Sequence, residues 1–494
     1  MSRRDHELVL VLDAGTTSTR AMLFGLDGSL HHTVQHDITQ HYPAPGRVEH
    51  DAAEIWAKTL SAAQECAEWE EGEAHIACIG IANQRETVVA WDRDTGKPLS
   101  RAIVWQDRRT APLCESLREA GHEAELQRRT GLLLDPYFSA TKMRWLIDNE
   151  PAVAAAAGDG RLALGTVESW LAWKLSGGRA HISDASNASR TLLMPLDGSA
   201  FAQDLCELFG VPHSALPQVV DNAGDLATSA PGLLPREIPL TGMAGDQQAA
   251  TIGQGCLTRG DVKATYGTGA FILANHGRDV PQSQHRLLGT VLHQLDGDRT
   301  YALEGSVFVA GSLVKWLRDS LGLIGSAKET EALARSVDDS GGVVIVPALS
   351  GLGAPHWQPD ARGSITGLSF ATGKAQIARA ALEAMAHQTH DLMGAFAADG
   401  AGWAALRIDG GMSGNDWMAQ DIADLTGLTV ERPSFVETTA LGAAVLAAYG
   451  AGLFDSLAEA CAAMRGGART FEPAMAEAVR NERLARWNAA LTRL

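Results

Sequence analysis

Three turns of small and polar residues stand out for the chemistry they could carry. Asp13-Ala14-Gly15-Thr16-Thr17-Ser18 follows the apolar run Val9-Leu10-Val11-Leu12. Gly267-Thr268-Gly269 follows Asp261–Tyr266 in the second half of the chain. Asp409-Gly410-Gly411-Met412-Ser413-Gly414-Asn415 leads into a helix-like stretch. Glycine lets backbone N–H groups approach phosphate oxygens with no Cβ in the way, and the hydroxyls add donors. Asp13, at a strand end, could hold a magnesium ion directly or through water. Each turn taken singly reads as an ordinary hairpin tip. Three in order, two of them at matching places in the two halves, point to phosphate handling. The chain has no Gly-x-x-x-x-Gly-Lys-Ser/Thr, no dinucleotide-binding fingerprint and no His-Arg-Asp with Asp-Phe-Gly. That disfavours the P-loop, dinucleotide and protein-kinase routes to phosphate binding.

The elements that must position these turns can be read around them. Val9–Leu12 and Arg20–Gly25 predict a strand–turn–strand hairpin with the first turn at its tip, and Asp261–Tyr266 with Ala270–Leu273 predict a second hairpin of the same shape. Two such tips suggest duplicated halves facing one cleft. Ala375–Phe396 reads as a helix, with Ile377, Ala381, Met385 and Leu392 near one face. Strands alternating with helices make this an α/β chain. A domain boundary is expected in Ala249–Gly260, which carries three glycines and no strong pattern.

Bulk properties narrow the class. A chain of 494 residues with 45% hydrophobic content suits two domains of about 200–250 residues each. A net charge of −18 argues against nucleic acid or an anionic membrane as partner, and no apolar run reaches membrane-spanning length, so no stable membrane insertion is expected. Met1-Ser2-Arg3-Arg4-Asp5-His6-Glu7 lacks the apolar stretch and cleavage site of a secretory signal, so a cytoplasmic location is the expectation. The six cysteines are dispersed with no Cys-x-x-Cys pair, which fits reduced thiols. His31, His32, His36 and His41 cluster, but strand alternation puts only His32 and His36 on one face, and an exposed strand is preferred over zinc. Met475–Leu494 reads as a solvated C-terminal helix.

Longer motifs then carry a resemblance. They include Asp13-Ala14-Gly15-Thr16-Thr17-Ser18-Thr19-Arg20, Tyr42–Asp51, Asn83-Gln84-Arg85-Glu86-Thr87, Trp105–Thr110 and Asp135–Lys142. Asn187-Ala188-Ser189-Arg190-Thr191, Ala244-Gly245-Asp246-Gln247-Gln248, Tyr266-Gly267-Thr268-Gly269 and Gly363–Leu368 follow in order. Over nearly its whole length the chain resembles the FGGY carbohydrate kinase family. The resemblance implies two actin-like, ribonuclease H-like ATPase domains facing an interdomain cleft. Residues 1–253 would hold the polyol site and the first phosphate loop, and 254–494 the second phosphate loop and the adenosine site. It also implies a homo-oligomer, dimer or tetramer.

The activity implied is transfer of the ATP γ-phosphoryl group to a small polyol, glycerol first and erythritol or another short polyol next, with Mg2+. By resemblance Asp246 is the general base. Arg85, Glu86, Tyr137, Asp246 and Gln247 bond the hydroxyls, between walls of Trp105 and Phe271 that larger sugars would strike. Thr16, Thr17, Ser18, Arg20, Thr268 and Gly311 are expected at the phosphates, Gly411 and Asn415 at the adenosine, and Asp13 with Asp246 at the metal. Arg20 could instead sit in a structural salt bridge. Two positions depart from the family pattern: Ala14 and Lys315 stand where a Gln is usual, and Lys315 is expected to point to solvent. Some relatives bind fructose 1,6-bisphosphate at a Gly-rich loop. Here that stretch is Pro231-Gly232-Leu233-Leu234-Pro235-Arg236-Glu237-Ile238-Pro239, with most glycines gone and a carboxylate added, so that site is expected to be absent or weak.

Overall fold

A computed structural model describes residues 7–69, 75–358, 360–435 and 437–494. The segment 1–6, used above to argue location, lies outside them. Two mixed sheets organise the chain. The first runs, edge to edge, Ala223–Thr228, Pro239–Gly245, Ile76–Asn83, Leu8–Ala14, Ser18–Gly25, Leu30–Asp37. The second runs Leu288–Leu295, Asp298–Val307, Ala270–Gly277, Asp261–Tyr266, Ala405–Asp409, Val430–Pro433, Ala468–Phe471. Each sheet is built on a hairpin whose second arm pairs antiparallel with a further strand. In each, the first arm pairs parallel with a strand that is parallel to the next in turn. The duplication suggested by the two hairpin tips is therefore present as shared topology.

The residues of the first sheet explain its place. Leu8, Leu10 and Leu12 pack on one face under the helix Ala52–Ala67, while Val9 and Val11 pack on the other under Thr438–Gly450, contributed by the second half. A strand covered on both faces needs a near-continuous apolar run, and this one has it. The covering helix Thr438–Gly450 is apolar on all sides and buried throughout most of its length, as a helix between layers must be. It also lies against the helix Asp246–Gly253. A Cβ on Gly442 would fall 1.8 Å from the Ala249 carbonyl oxygen, so glycine is required for this approach. The helix from Asp246 extends into the stretch expected to be patternless, ending at Gly253.

The helix read at Ala375–Phe396 spans Lys374–Ala398, with Ala381, Met385 and Leu392 buried in the core of the second half. The edge strand Leu30–Asp37 keeps His32, Val34 and His36 on its half-buried face, where His32 stacks on Trp69 and His36 meets Glu65. The C-terminal helix Glu477–Leu491 is less solvated than expected. Trp487 is buried, stacks on His387 and donates to Asp391 at 2.8 Å. All six cysteines are buried and unpaired.

Candidate active site

The site begins at the carboxyl ends of the central strands of the first sheet. In register, Ala14 pairs with Asn83, and Asn83 with Gly245, at the carboxyl ends of three adjacent parallel strands. The chain beyond each end carries a predicted group: the tip Gly15–Ser18, the loop Gln84-Arg85-Glu86, and Asp246 at the first position of its helix. The turns at 267–269 and 410–415 leave the second sheet at the corresponding strand ends. Open α/β sheets place their ligands beyond the carboxyl ends of strands, and the sequence positions above converge there because the topology repeats.

In the loop Gln84-Arg85-Glu86, Arg85 is the hub. It is buried, with Nη1 donating to Glu304 Oε2 at 2.6 Å and to Gln248 Oε1 at 3.3 Å. Its Nη2 reaches the Tyr137 hydroxyl at 3.4 Å, and its Nε lies 3.3 Å from Asp246 Oδ1. Arg190 completes the cluster, donating from Nε to Glu86 at 2.6 Å and from Nη2 to Glu304 Oε1 at 2.9 Å. Burial would raise the Glu304 carboxyl, but Arg190 and then Arg85 outweigh it and hold it at about 2. Burial wins at Glu86, whose carboxyl is raised despite Arg85 and Arg190. Glu86 also adopts a left-handed backbone, φ 61°, which a residue with a Cβ accepts at a cost of about 1–2 kcal/mol. Of the three carboxylates around Arg85, Glu86 and Glu304 are 1% and 0% exposed at the side chain and Asp246 is 35% exposed. Asp246 is thus the one an incoming hydroxyl can reach.

Three rings from both halves meet at Trp105, with Tyr137 next to Arg85 and Arg190. Trp105 meets Tyr137 edge-on with centroids 5.6 Å apart and Phe271 at 6.5 Å. Trp105 Nε1 donates to Thr16 Oγ1 at 3.0 Å, tying these rings to the first turn, Asp13–Ser18. Tyr137 is held by the buried Lys142, whose Nζ donates to the carbonyls of Pro136, Tyr137 and Phe138. Burial brings that amine down to about 8.

On the other side, the second and third turns form one surface. Gly311 N–H donates to the Gly267 carbonyl and Ala310 N–H to that of Thr268, both at 2.9 Å. A Cβ on Gly311 would lie 3.1 Å from Met412, and one on Gly410 2.6 Å from the Tyr266 carbonyl oxygen, whereas Gly411 has open space beside it. Asn415 caps the helix Asp416–Thr426, accepting from Met418 N–H at 2.9 Å. Thr17 and Thr268 are exposed at their tips, Ser18 is buried, and Lys315 is exposed. Arg20 is drawn to Glu437 of the second half at 2.5 Å, the salt bridge weighed above as its alternative role. Burial, opposed by the charge of Arg20 and reinforced by the charges of Asp246 and Glu437, raises the Asp13 carboxyl to about 7.

The structure adds residues that sequence reasoning did not assign: Arg190, Gln248, Lys263 and Glu304. Arg190 and Gln248 sit inside motifs quoted above but carried no role. Lys263 and Glu304 are charged residues within strands that are otherwise mostly apolar, Asp261–Tyr266 and Tyr301–Val307, and a buried charge in such a run is the signal that could have found them.

The FGGY family of carbohydrate kinases, N-terminal domain, matches residues 8–253, and its C-terminal domain matches residues 262–451. The chain belongs to this family. It is 52% identical to a glycerol kinase of Rhodospirillum rubrum over 98% of each chain, and 53% identical to a glycerol kinase of Dechloromonas aromatica over all of this chain and 98% of that one. A crystal structure of Plasmodium falciparum glycerol kinase with ADP superposes with a TM-score of 0.94 at 36% identity, covering 99% of this chain and 98% of the other. Among the described residues, no helix is long and apolar enough to cross a membrane.

Proposed function

We propose that this chain transfers the γ-phosphoryl group of ATP to glycerol, giving sn-glycerol 3-phosphate and ADP. The observation that carries the reading is the reachable carboxylate of Asp246, held beside Arg85, whose Nη2 reaches Tyr137 of the aromatic cluster of Tyr137, Trp105 and Phe271. A short polyol needs donors and acceptors for closely spaced hydroxyls and flat apolar faces for its C–H groups, and this pocket offers both. Arg85 Nε and the Tyr137 hydroxyl orient hydroxyl oxygens, and Glu86 and Gln247 lie beside them. Asp246 accepts the proton of the attacking hydroxyl as its oxygen bonds to the γ-phosphorus and the bridge to the β-phosphate breaks. Larger sugars meet the aromatic walls.

The turn Gly15–Ser18 and the surface of Thr268, Gly311, Gly411 and Asn415 are assigned to the phosphates and adenosine. Arg20 stays paired with Glu437 and reaches the phosphates only through the turn it supports. Asp13 and Asp246 stand at the carboxyl ends of Leu8–Ala14 and Pro239–Gly245, the strands that flank Ile76–Asn83, and carboxylate oxygens are the donors a magnesium ion takes. Among the described residues no group of three or more ligating side chains forms a protein cage, so water and phosphate oxygens would complete the shell. Asp13 would hold the ion with Asp246 nearby. When bound, it supplies charge neutralisation for the phosphate oxygens. Closure of the halves over the cleft excludes water as a competing acceptor.

The test is coupled ADP release with glycerol, erythritol and other polyols, ranked by kcat/KM. Highest kcat/KM with glycerol is expected. A higher value with erythritol or another polyol would move the assignment within the family, and release independent of any polyol would remove it.

A further inference from the structure

The polyol-side hydrogen-bonding residues Arg85, Glu86, Tyr137, Asp246 and Gln247 all lie in the first half of the chain, yet two of them end on buried charges of the second. Glu304 takes Arg85 Nη1 on one carboxylate oxygen and Arg190 Nη2 on the other. Lys263 Nζ donates to Gln247 Oε1 at 2.6 Å and to Thr265 Oγ1 at 2.8 Å. Both charges are 0% exposed. They occupy one row of the second sheet, because Leu273 pairs in register with Lys263 on one side and with Glu304 on the other. Directly opposed residues share a face, so both side chains leave the sheet in the same direction, two strand spacings or about 10 Å apart. Phe271, two residues before Leu273, shares that face and forms part of the aromatic wall.

We propose that Lys263 and Glu304 are positioning residues for phosphoryl transfer, a second-half row that sets the hydrogen-bonding polarity of first-half groups. This rests on the polyol-kinase reading of the same site. Glu304 claims Nη1 of Arg85, so Nε and Nη2 are the edges left toward Asp246 and Tyr137. Lysine has no acceptor and can meet only the oxygen end of an amide. Gln247 is therefore fixed with Nε2 free to donate to a hydroxyl oxygen. Without Lys263 the amide has two orientations, and only one donates. The row also makes polyol recognition conditional on the two halves being in register, since neither charge belongs to the domain that carries the groups it orients.

The experiment is steady-state kinetics of Glu304→Gln and Lys263→Met, with the best substrate of the polyol panel and its analogue lacking one hydroxyl, and KM for ATP measured separately. Glu304→Gln is expected to lower kcat/KM for the polyol on the order of 100-fold through misplacement of Arg85. KM for ATP should change by less than about threefold, since that side of the cleft is not touched. Lys263→Met is expected to lower discrimination between the polyol and its deoxy analogue by roughly tenfold, because the oriented donor that penalises the missing hydroxyl is lost. A purely structural role would lower Tm and leave both ratios in place. If Glu304→Gln does not fold, Glu304→Gln with Arg190→Gln removes one charge of each sign and carries the same expectation, because Arg85 still lacks its carboxylate. Folded variants with unchanged polyol kcat/KM and discrimination, beside an active parent, overturn this inference alone. A parent inactive on every polyol overturns it together with the proposed function.

Discussion

Replacing Asp246 with asparagine tests the mechanism at its centre. The substitution is nearly isosteric, and the amide oxygen can still accept from Gln247 N–H, now at 2.7 Å, and from Arg85 Nε, now at 3.3 Å. Arg85 keeps Glu304 at 2.6 Å and Glu86 at 3.9 Å, so its charge is not stranded. Because the Asp246 side chain is 35% exposed, the lost ion pair is expected to cost less than about 1 kcal/mol of stability. The proton acceptor, however, is gone. General-base catalysis is worth roughly 100- to 10,000-fold, so kcat should fall about 1,000-fold, equivalent to about 4 kcal/mol of transition-state stabilisation. Coupled ADP release at saturating polyol and ATP reads kcat, calorimetry reads nucleotide affinity, and thermal unfolding checks the fold. A kcat within about tenfold of the parent would refute the assignment of Asp246 as base, since general-base catalysis typically contributes at least about 100-fold. An equal loss of nucleotide affinity would instead mark Asp246 as part of the nucleotide site.

Gly442→Ala places a Cβ 1.8 Å from the Ala249 carbonyl oxygen, between backbones that have no flexible side chain to move aside. It should destabilise the protein by about 3 kcal/mol or more, read as a lower urea midpoint. His293 is pushed down to about 4 by burial, and its Nδ1 has no hydrogen-bond partner. The unfolded chain binds this proton near pH 6.5 and the folded one only near 4. The unfolded state therefore holds more protons between those values, and stability falls as pH is lowered through that window. His293→Leu should remove about 2–3 kcal/mol of the stability difference between pH 7 and pH 4, measured by urea unfolding at both; an unchanged difference would show that His293 does not titrate this way. Fructose 1,6-bisphosphate is expected to leave activity unchanged. Arg236 already donates to the Ile76 carbonyl and Glu237 adds negative charge in that loop, and strong inhibition in the same ADP-release assay would contradict this.

Much of the architecture was readable along the chain because its cues are local. The hairpins announced themselves through apolar runs closed by Gly-bearing polar tips. The long helix at Lys374–Ala398 was visible in the spacing of Ile377, Ala381, Met385 and Leu392. Ordered motifs pointed to Arg85, Glu86, Trp105, Tyr137, Asp246, Gln247 and Phe271, and the fold brings Arg85, Tyr137 and Asp246, and Trp105 with Phe271, into contact. The C-terminal helix is less solvated than its polar sequence suggests because its buried positions mix residue types: Arg483 pairs with Asp421 at 2.5 Å while Trp487 and Ala490 pack inside, and a buried stripe that includes an arginine is not one that apolar periodicity reads.

What only the tertiary structure decided concerns partners far apart in sequence. That Arg20 would close on Glu437, that Arg85 and Arg190 would share Glu304, and that Lys263 would meet Gln247 follow from how two sheets are set against each other. Periodicity and turn chemistry report each residue's relation to its own element. The pairing of buried charges depends instead on the register between elements, and on the demand that a charge removed from water find its opposite. No stretch of this chain contains that information locally, because Lys263 and Glu304 are placed on one row by hydrogen bonding through the strand between them.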